Sequence, residues 1–434
     1  MPGEWRALTL SFAYFFFLLA CYYVLRPVRD EMGIRSGVGN LPWLFTATFV
    51  VNLLIAPLYA TLVAWLRRGV FIPLIYAFLI LNMLAFWVLL NAGIAPVATA
   101  IAFFVWITVF SVFAVSIFWS FMADLFVSEQ AKRLYPTIAA GGSLGGVAGG
   151  ATVTGLVTTV GAANLLLIAA GLLALALACA AGLDKLFARG ASARAEPVLK
   201  SDQKTAASWK SRLELILQPY LCGISAWVFL LSLAGTFAYF IQASIISGAD
   251  LSSDERTQVF GFIDMTANIL IPLIQLTIGR FVLQKLGVGI TLGVVTAVFA
   301  VGFVALAASP VVSVLVAFMI AQRTGQFALS NPARESLFTV VGRDSKYMAK
   351  NVIDNVVFRG GDVANAWLYN FLNIAMGFGI PVIALVGAPI AALWLALSIA
   401  LGRAQARLAE HQADEATQAA PSLRSTVTAA HRGA

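Results

Sequence analysis

The sequence predicts an all-α fold, an integral membrane protein of twelve transmembrane helices arranged six plus six, on three observations. First, its 434 residues are 60 % hydrophobic and 11 % charged, with mean hydropathy +0.89, so its surface must face lipid. Second, crossing a ~30 Å hydrocarbon core takes about 20 apolar residues, and the chain holds twelve such runs with short polar breaks. Third, Lys and Arg gather after every second run, as expected of loops on a single side of a membrane.

The first span lies near residues 7–25 and is followed by Arg26, Pro27 and Arg29 with no small-x-small cleavage site, so it reads as a retained helix. Spans two to six lie near 41–66, 71–90, 97–123, 135–159 and 164–183. Residues 184–218, with Lys185, Arg189, Arg194, Lys200, Lys204, Lys210 and Arg212, form the longest internal polar stretch. Spans seven to twelve follow near 219–246, 256–279, 286–306, 311–332, 349–374 and 381–401. This divides the chain into an amino-terminal bundle (1–183), a cytoplasmic linker (184–218), a carboxy-terminal bundle (219–401) and a tail (402–434). The tail has little apolar surface to bury, and its composition predicts disorder beyond the first turns. A short echo supports the division: Leu125-Phe126 followed by Ala131-Lys132-Arg133-Leu134-Tyr135 recurs in character as Leu337-Phe338 followed by Lys346 to Lys350.

One set of loops holds Arg67, Arg68, Lys132, Arg133, the linker cations, Arg280, Lys285, Arg334, Arg343, Lys346, Lys350 and the tail arginines. The other has Arg26, Arg29, Arg35 and Arg256, which places both termini in the cytoplasm. The net charge of +8 therefore reports orientation and contact with lipid headgroups, not a nucleic-acid partner. Cys21, Cys179 and Cys222 sit in apolar runs without metal spacing, and His411 and His431 both fall in the tail. A catalytic set, a metal site and a cofactor are thus not expected.

Ionisable groups within a span cost about 2.5–3.5 kcal/mol each on insertion scales, so they persist where they pair or line water. The eighth span carries Asp264, Asn268 and Gln275 along one stripe, the tenth Arg323, Gln326, Ser330 and Arg334, and the eleventh Asn355, Arg359 and Asp362. Three polar stripes imply a common wet interior. The plainer alternative is structural pairing, Arg359 with Asp362 and Arg323 with Asp264 or Asp354. In the first span, continuation to about Gly33 puts Tyr22, Arg26, Arg29 and Asp30 on one face. Arg26 then pairs with Asp30 at i, i+4 and leaves Arg29 for an anion, unless the cluster only anchors to lipid phosphates. Pro27 removes a hydrogen bond and offers a kink. The fifth span holds Gly141, Gly142, Gly145, Gly146, Gly149 and Gly150, two small-xxx-small series that permit close helix approach.

Three blocks together resemble the ATP/ADP translocase family of bacteria and plastids, nucleotide exchangers related to the major facilitator superfamily. These are Tyr22 to Asp30; Phe118-Trp119-Ser120-Phe121 followed by Glu129-Gln130-Ala131-Lys132-Arg133-Leu134-Tyr135-Pro136; and Pro332-Ala333-Arg334-Glu335. The resemblance spans Ala13 to Gly361 and implies a twelve-span, major-facilitator-like carrier whose basic residues hold phosphates. The family's first-span lysine, with aspartate after it, falls on Arg29 and Asp30, and its Pro-x-Lys-Glu block on Pro332, Arg334 and Glu335. Both lysines are arginine here, Val97 to Met122 lacks the family's acidic residue, and Pro27 stands where exchangers often have an acid. Those departures weaken ATP/ADP specificity more than they weaken transport.

The sequence thus points to a non-enzymatic secondary transporter of an anionic, nucleotide-like or phosphorylated solute, acting as a monomer among membrane lipids. Arg26, Arg29, Arg323, Arg334, Arg359, Asn268, Gln326 and Asn355 are the expected solute contacts. Asp30, Asp264, Glu335, Asp354 and Asp362 are the expected coupling or gating carboxylates. A proton-coupled porter of another organic anion and a non-transporting membrane scaffold are the competing readings.

Overall fold

The computed structural model describes residues 2–65, 68–126, 128–188, 214–279 and 281–430, so most of the expected linker lies outside the described residues. Among the described residues the regular elements are all helices. The first half comprises α1 (Pro2–Arg35), α2 (Leu41–Trp65), α3 (Arg68–Asn91), α4 (Pro96–Leu125), α5 (Ser128–Val160) and α6 (Leu165–Ala188). The second opens with α7 (Pro219–Gly248), α8 (Ser253–Ile274, then a π turn Gln275–Gly279) and α9 (a π turn Val282–Leu286, then Gly287–Ala308). The rod α10 joins Val312–Gly325, a π segment Gln326–Ser330 and Asn331–Leu337. The rod α11 joins Arg343–Val352, a π segment Ile353–Phe358, Arg359–Asn370 and a π turn Phe371–Ala375. The last helix, α12, is Ile380–Ala430.

Local chemistry sets the ends of these helices. Pro96 and Pro219 open α4 and α7 at the first turn, where a missing N–H costs nothing. Ser252 caps α8 in a reciprocal box: its hydroxyl accepts the Glu255 amide at 3.3 Å, and Glu255 accepts the Ser252 amide at 2.7 Å. Among the described residues, eleven helices are long and apolar enough to cross a membrane. The twelfth, α11, is long enough but carries Lys350, Asp354, Arg359 and Asp362, so it can span only with those charges turned toward protein or water.

Three elements outrun the apolar count. Helix α1 continues past residue 25 to Arg35, and α5 begins at Ser128 and passes through Pro136. Helix α12 runs on through the tail to Ala430, where low hydrophobicity predicts disorder. Ala, Leu, Glu, Gln and Arg dominate residues 402–420, and their intrinsic helix preference supports a helix there. That extension is also tied down, since Gln412 donates to the Val340 carbonyl at 2.9 Å.

Among the described residues two hydrophobic cores form: one lies within the first half, and the other, centred on the second half, also takes in Ile34, Leu41, Leu44 and Phe104 of the first. In the first, Tyr14 packs edge-on against Phe118 at 4.9 Å and shares a 2.5 Å hydroxyl contact with Tyr76. In the second, Trp227 donates its indole N–H to Ser398 at 2.8 Å beside Trp394. Lipid gives no hydrophobic reward for helix association, so close packing and buried polar contacts hold such bundles together. The glycine series on α5 show how close that packing becomes. A Cβ on Gly145 would stand 2.3 Å from the Phe16 carbonyl oxygen of α1, while Gly146 and Gly150 face Asn268 and Met265 of α8. Helix α5 is therefore wedged between its own half and the other.

Candidate functional site

The centre of the bundle is built by α1, α8 and α10. Asp264, 1 % exposed, accepts Arg323 Nη1 from α10 and lies 3.3 Å from Arg26 Nη1 of α1. One carboxylate thus serves two guanidinium groups, one from each half. Beside it, Arg29 donates to Asp30 Oδ1 from Nε at 3.0 Å and from Nη2 at 2.6 Å, and the Tyr239 hydroxyl of α7 donates to the same oxygen at 3.3 Å. The pairing expected within α1 is therefore exchanged. Asp264 reaches across from the other half and takes Arg26, which leaves Asp30 to its neighbour Arg29. Aromatic faces cover the cations, with Phe104 lying 5.2 Å from the Arg29 guanidinium and Tyr23 lying 5.9 Å from that of Arg26.

This centre is polar, buried and incompletely satisfied. Asp30 Oδ2 and Asp264 Oδ2 are buried without a hydrogen-bond partner within the protein. The Arg26 and Arg29 side chains keep 19 % and 18 % of their surface, so they remain accessible to a small solute. Buried polar atoms left unmatched are costly, and a site that accepts a ligand is one recognised reason to retain them.

The other expected residues divide among separate places. Asn268 stays at the centre's edge, donating to the Asp264 carbonyl at 2.9 Å and packed against Gly146. Arg334 pairs with Asp354 at 3.1 Å and approaches Glu335 at 3.7 Å, while Lys350 takes Glu335 at 2.6 Å, forming a second cluster between α10 and α11. Arg359 and Asp362 meet at 3.8 Å, and Asp362 accepts from Ser232 of α7 at 2.7 Å. Two residues bond within their own helices. Gln326 bonds Gln322 of its own helix at 2.9 Å, and exposed Asn355 bonds the Asn351 carbonyl at 3.0 Å. Both lie in π segments, whose wider turns break the phase that a 3.6-residue stripe assumes.

At the face opposite the termini, the two halves are fastened together. Glu31 of α1 lies 3.9 Å from Arg256 of α8. Asp254 accepts the Ala162 amide at 2.8 Å, presented by a turn in which Gly161 takes φ 85°. Gln258 donates to the Thr154 carbonyl at 2.7 Å, and Trp367 donates to Thr46 at 3.1 Å beside Trp43. Sequence reasoning missed these contacts and Tyr239. A tyrosine in an apolar run carries no periodic signal, whereas Glu31, directly after Asp30 on a helix expected to continue, was findable.

No protein-family profile matches the chain, and no curated protein matches it either. Solved structures do. A mutant of the nucleoside transporter NupG is 14 % identical with TM-score 0.59, over 92 % of this chain and 99 % of that one. A POT family transporter crystallised with 5-aminolevulinic acid is 12 % identical with TM-score 0.61, over 91 % and 96 %. The chain has the major-facilitator fold. A bacterial homologue of the human lysosomal transporter Spinster, inward-facing and unoccupied, agrees at 13 % identity and TM-score 0.54, over 94 % and 96 %. The broad expectation, an all-α multi-pass chain with a major-facilitator-like fold, therefore stands. Likeness at 12–14 % identity speaks of fold alone, and none of these neighbours is an ATP/ADP translocase by description.

Proposed function

We propose that this protein is a secondary transporter that moves a small organic anion by alternating access, with both termini on the cytoplasmic side of a bacterial inner membrane. The observation that carries this is Asp264, a buried carboxylate shared by Arg26 of one half and Arg323 of the other. An anion that settles on Arg26 and Arg29 competes with Asp264 and Asp30 for the same guanidinium groups. Loss of the Arg26–Asp264 contact removes a tie between the halves, so solute binding and rocking become linked through differential contacts. The pairs Arg334–Asp354 and Arg359–Asp362 then serve as contacts along the path or as gates. One chain holds both halves, so a monomer embedded in lipid suffices.

Nucleotide-like and phosphorylated solutes are the first to test. The translocase-like blocks suggest exchange, and one structural neighbour is a nucleoside transporter. Counterflow in proteoliposomes loaded with nucleotides or other organic anions should show uptake that depends on internal solute. Arg29→Ala should lower that uptake at least about tenfold, the loss expected on removing one charge-assisted contact. A proton gradient that drives uptake while every counterflow pair fails would favour a proton-coupled porter, with Asp264 and Asp30 the carboxylates positioned for it. A chain that folds but gives no flux in either format would favour the scaffold.

A further inference from the structure

We infer that the transported solute carries a single negative charge, as a carboxylate or a phosphodiester does, in place of the several charges of ATP or ADP. This rests on the carrier reading above and narrows its substrate class. The argument is the charge balance of the interior. Away from the centre, the ion pairs within the described spans balance in charge: Glu31 with Arg256, Arg334 and Lys350 with Asp354 and Glu335, and Arg359 with Asp362. At the centre, three guanidinium groups (Arg26, Arg29, Arg323) meet two carboxylates (Asp30, Asp264), leaving one formal positive charge.

That excess charge is held where solvation is poor. Arg323 and both carboxylates are almost fully buried, and Arg26 and Arg29 are covered on one face by Tyr23 and Phe104. An ion loaded into such a site is tolerated when it brings the local charge toward zero and resisted when it overshoots. A monoanion cancels the excess. A nucleoside triphosphate overshoots by about three charges, and Arg334 and Arg359 are already committed to Asp354 and Asp362. The unpartnered Oδ2 atoms of Asp30 and Asp264 add to the same bias, because they repel further anionic oxygens placed beside them.

Thermal stabilisation of the purified full-length protein by two charge series tests this. One series keeps a benzene ring: benzamide, benzoate, phthalate and trimesate. The other keeps adenosine: adenosine, cyclic AMP, AMP and ATP. Apparent affinity should peak at the singly charged member of at least one series and fall on the order of tenfold with each further charge. Benzoate leading points to a carboxylate, and cyclic AMP leading to a phosphodiester. Asp30→Asn should move the peak to the doubly charged member, and Arg29→Gln should move it to the neutral one. Affinity that climbs to the most charged member, a peak unmoved in both variants, or no shift with any of the eight compounds overturns the assignment. The carrier reading is judged separately, by counterflow with polyanions and monoanions alike, and survives if a polyanion is exchanged.

Discussion

Replacing Asp264 with alanine is expected to destabilise the purified protein by about 3–5 kcal/mol, the cost of stripping a buried ion cluster of its shared partner. The side chain is 1 % exposed and contacts both Arg26 and Arg323, so its removal leaves two guanidinium groups without their counter-ion. They differ in what they can do next. Arg26 keeps 19 % of its surface and can turn toward water, whereas Arg323 is 7 % exposed and has nowhere to go. Adding Arg323→Leu to Asp264→Ala should therefore recover part of the lost stability, and adding Arg26→Leu should recover less. Equilibrium unfolding in detergent, read as a double-mutant cycle, checks this. An alanine variant as stable as the parent would show that the arginines are solvated and that Asp264 is not their common partner. Asp264→Asn keeps the shape and one acceptor, so it should cost less stability than alanine while still impairing transport.

The twelve helices were legible in the sequence because lipid sets a minimum length for every span and demands that nearly all of them be apolar. What escaped was where the polar stripes lead. Counting at 3.6 residues per turn aligns Arg323 with Arg334 and Asn355 with Asp362. The π segments Gln326–Ser330 and Ile353–Phe358 fall between or within those sets and shift the phase of the residues that follow them. Nothing in their composition announces a π turn. Likewise, the choice of Asp30 or Asp264 as partner to Arg26 is a tertiary matter: spacing within α1 allows the first, and the approach of α8 imposes the second. The glycine series on α5 was visible as a close-packing surface. That its two ridges serve different partners, α1 on one side and α8 on the other, emerges only from the packing.

Those two ridges give the second large effect. A Cβ at Gly150 would stand 2.8 Å from Met265 Cα, a backbone atom across the interface between halves. Gly150→Leu cannot be accommodated by a rotamer change, so α8 must move away from α5 and carry Asp254 and Gln258 off Ala162 and Thr154. The expected result is a folded protein held open at the face opposite the termini, with transport reduced more than about tenfold because one of the two end states is disfavoured. A cross-link between cysteines placed at Ala162 and Asp254, in a background lacking Cys21, Cys179 and Cys222, should form readily in the parent and fail in Gly150→Leu. Gly145→Leu is the contrast. Its side chain would meet the Phe16 carbonyl of α1 inside one half, so it should lower the yield of folded protein instead of shifting an equilibrium. If Gly150→Leu cross-links as well as the parent, then α5 and α8 are not the surfaces that part. The fastening at this face would instead have to open through Glu31–Arg256 and Trp367–Thr46 alone.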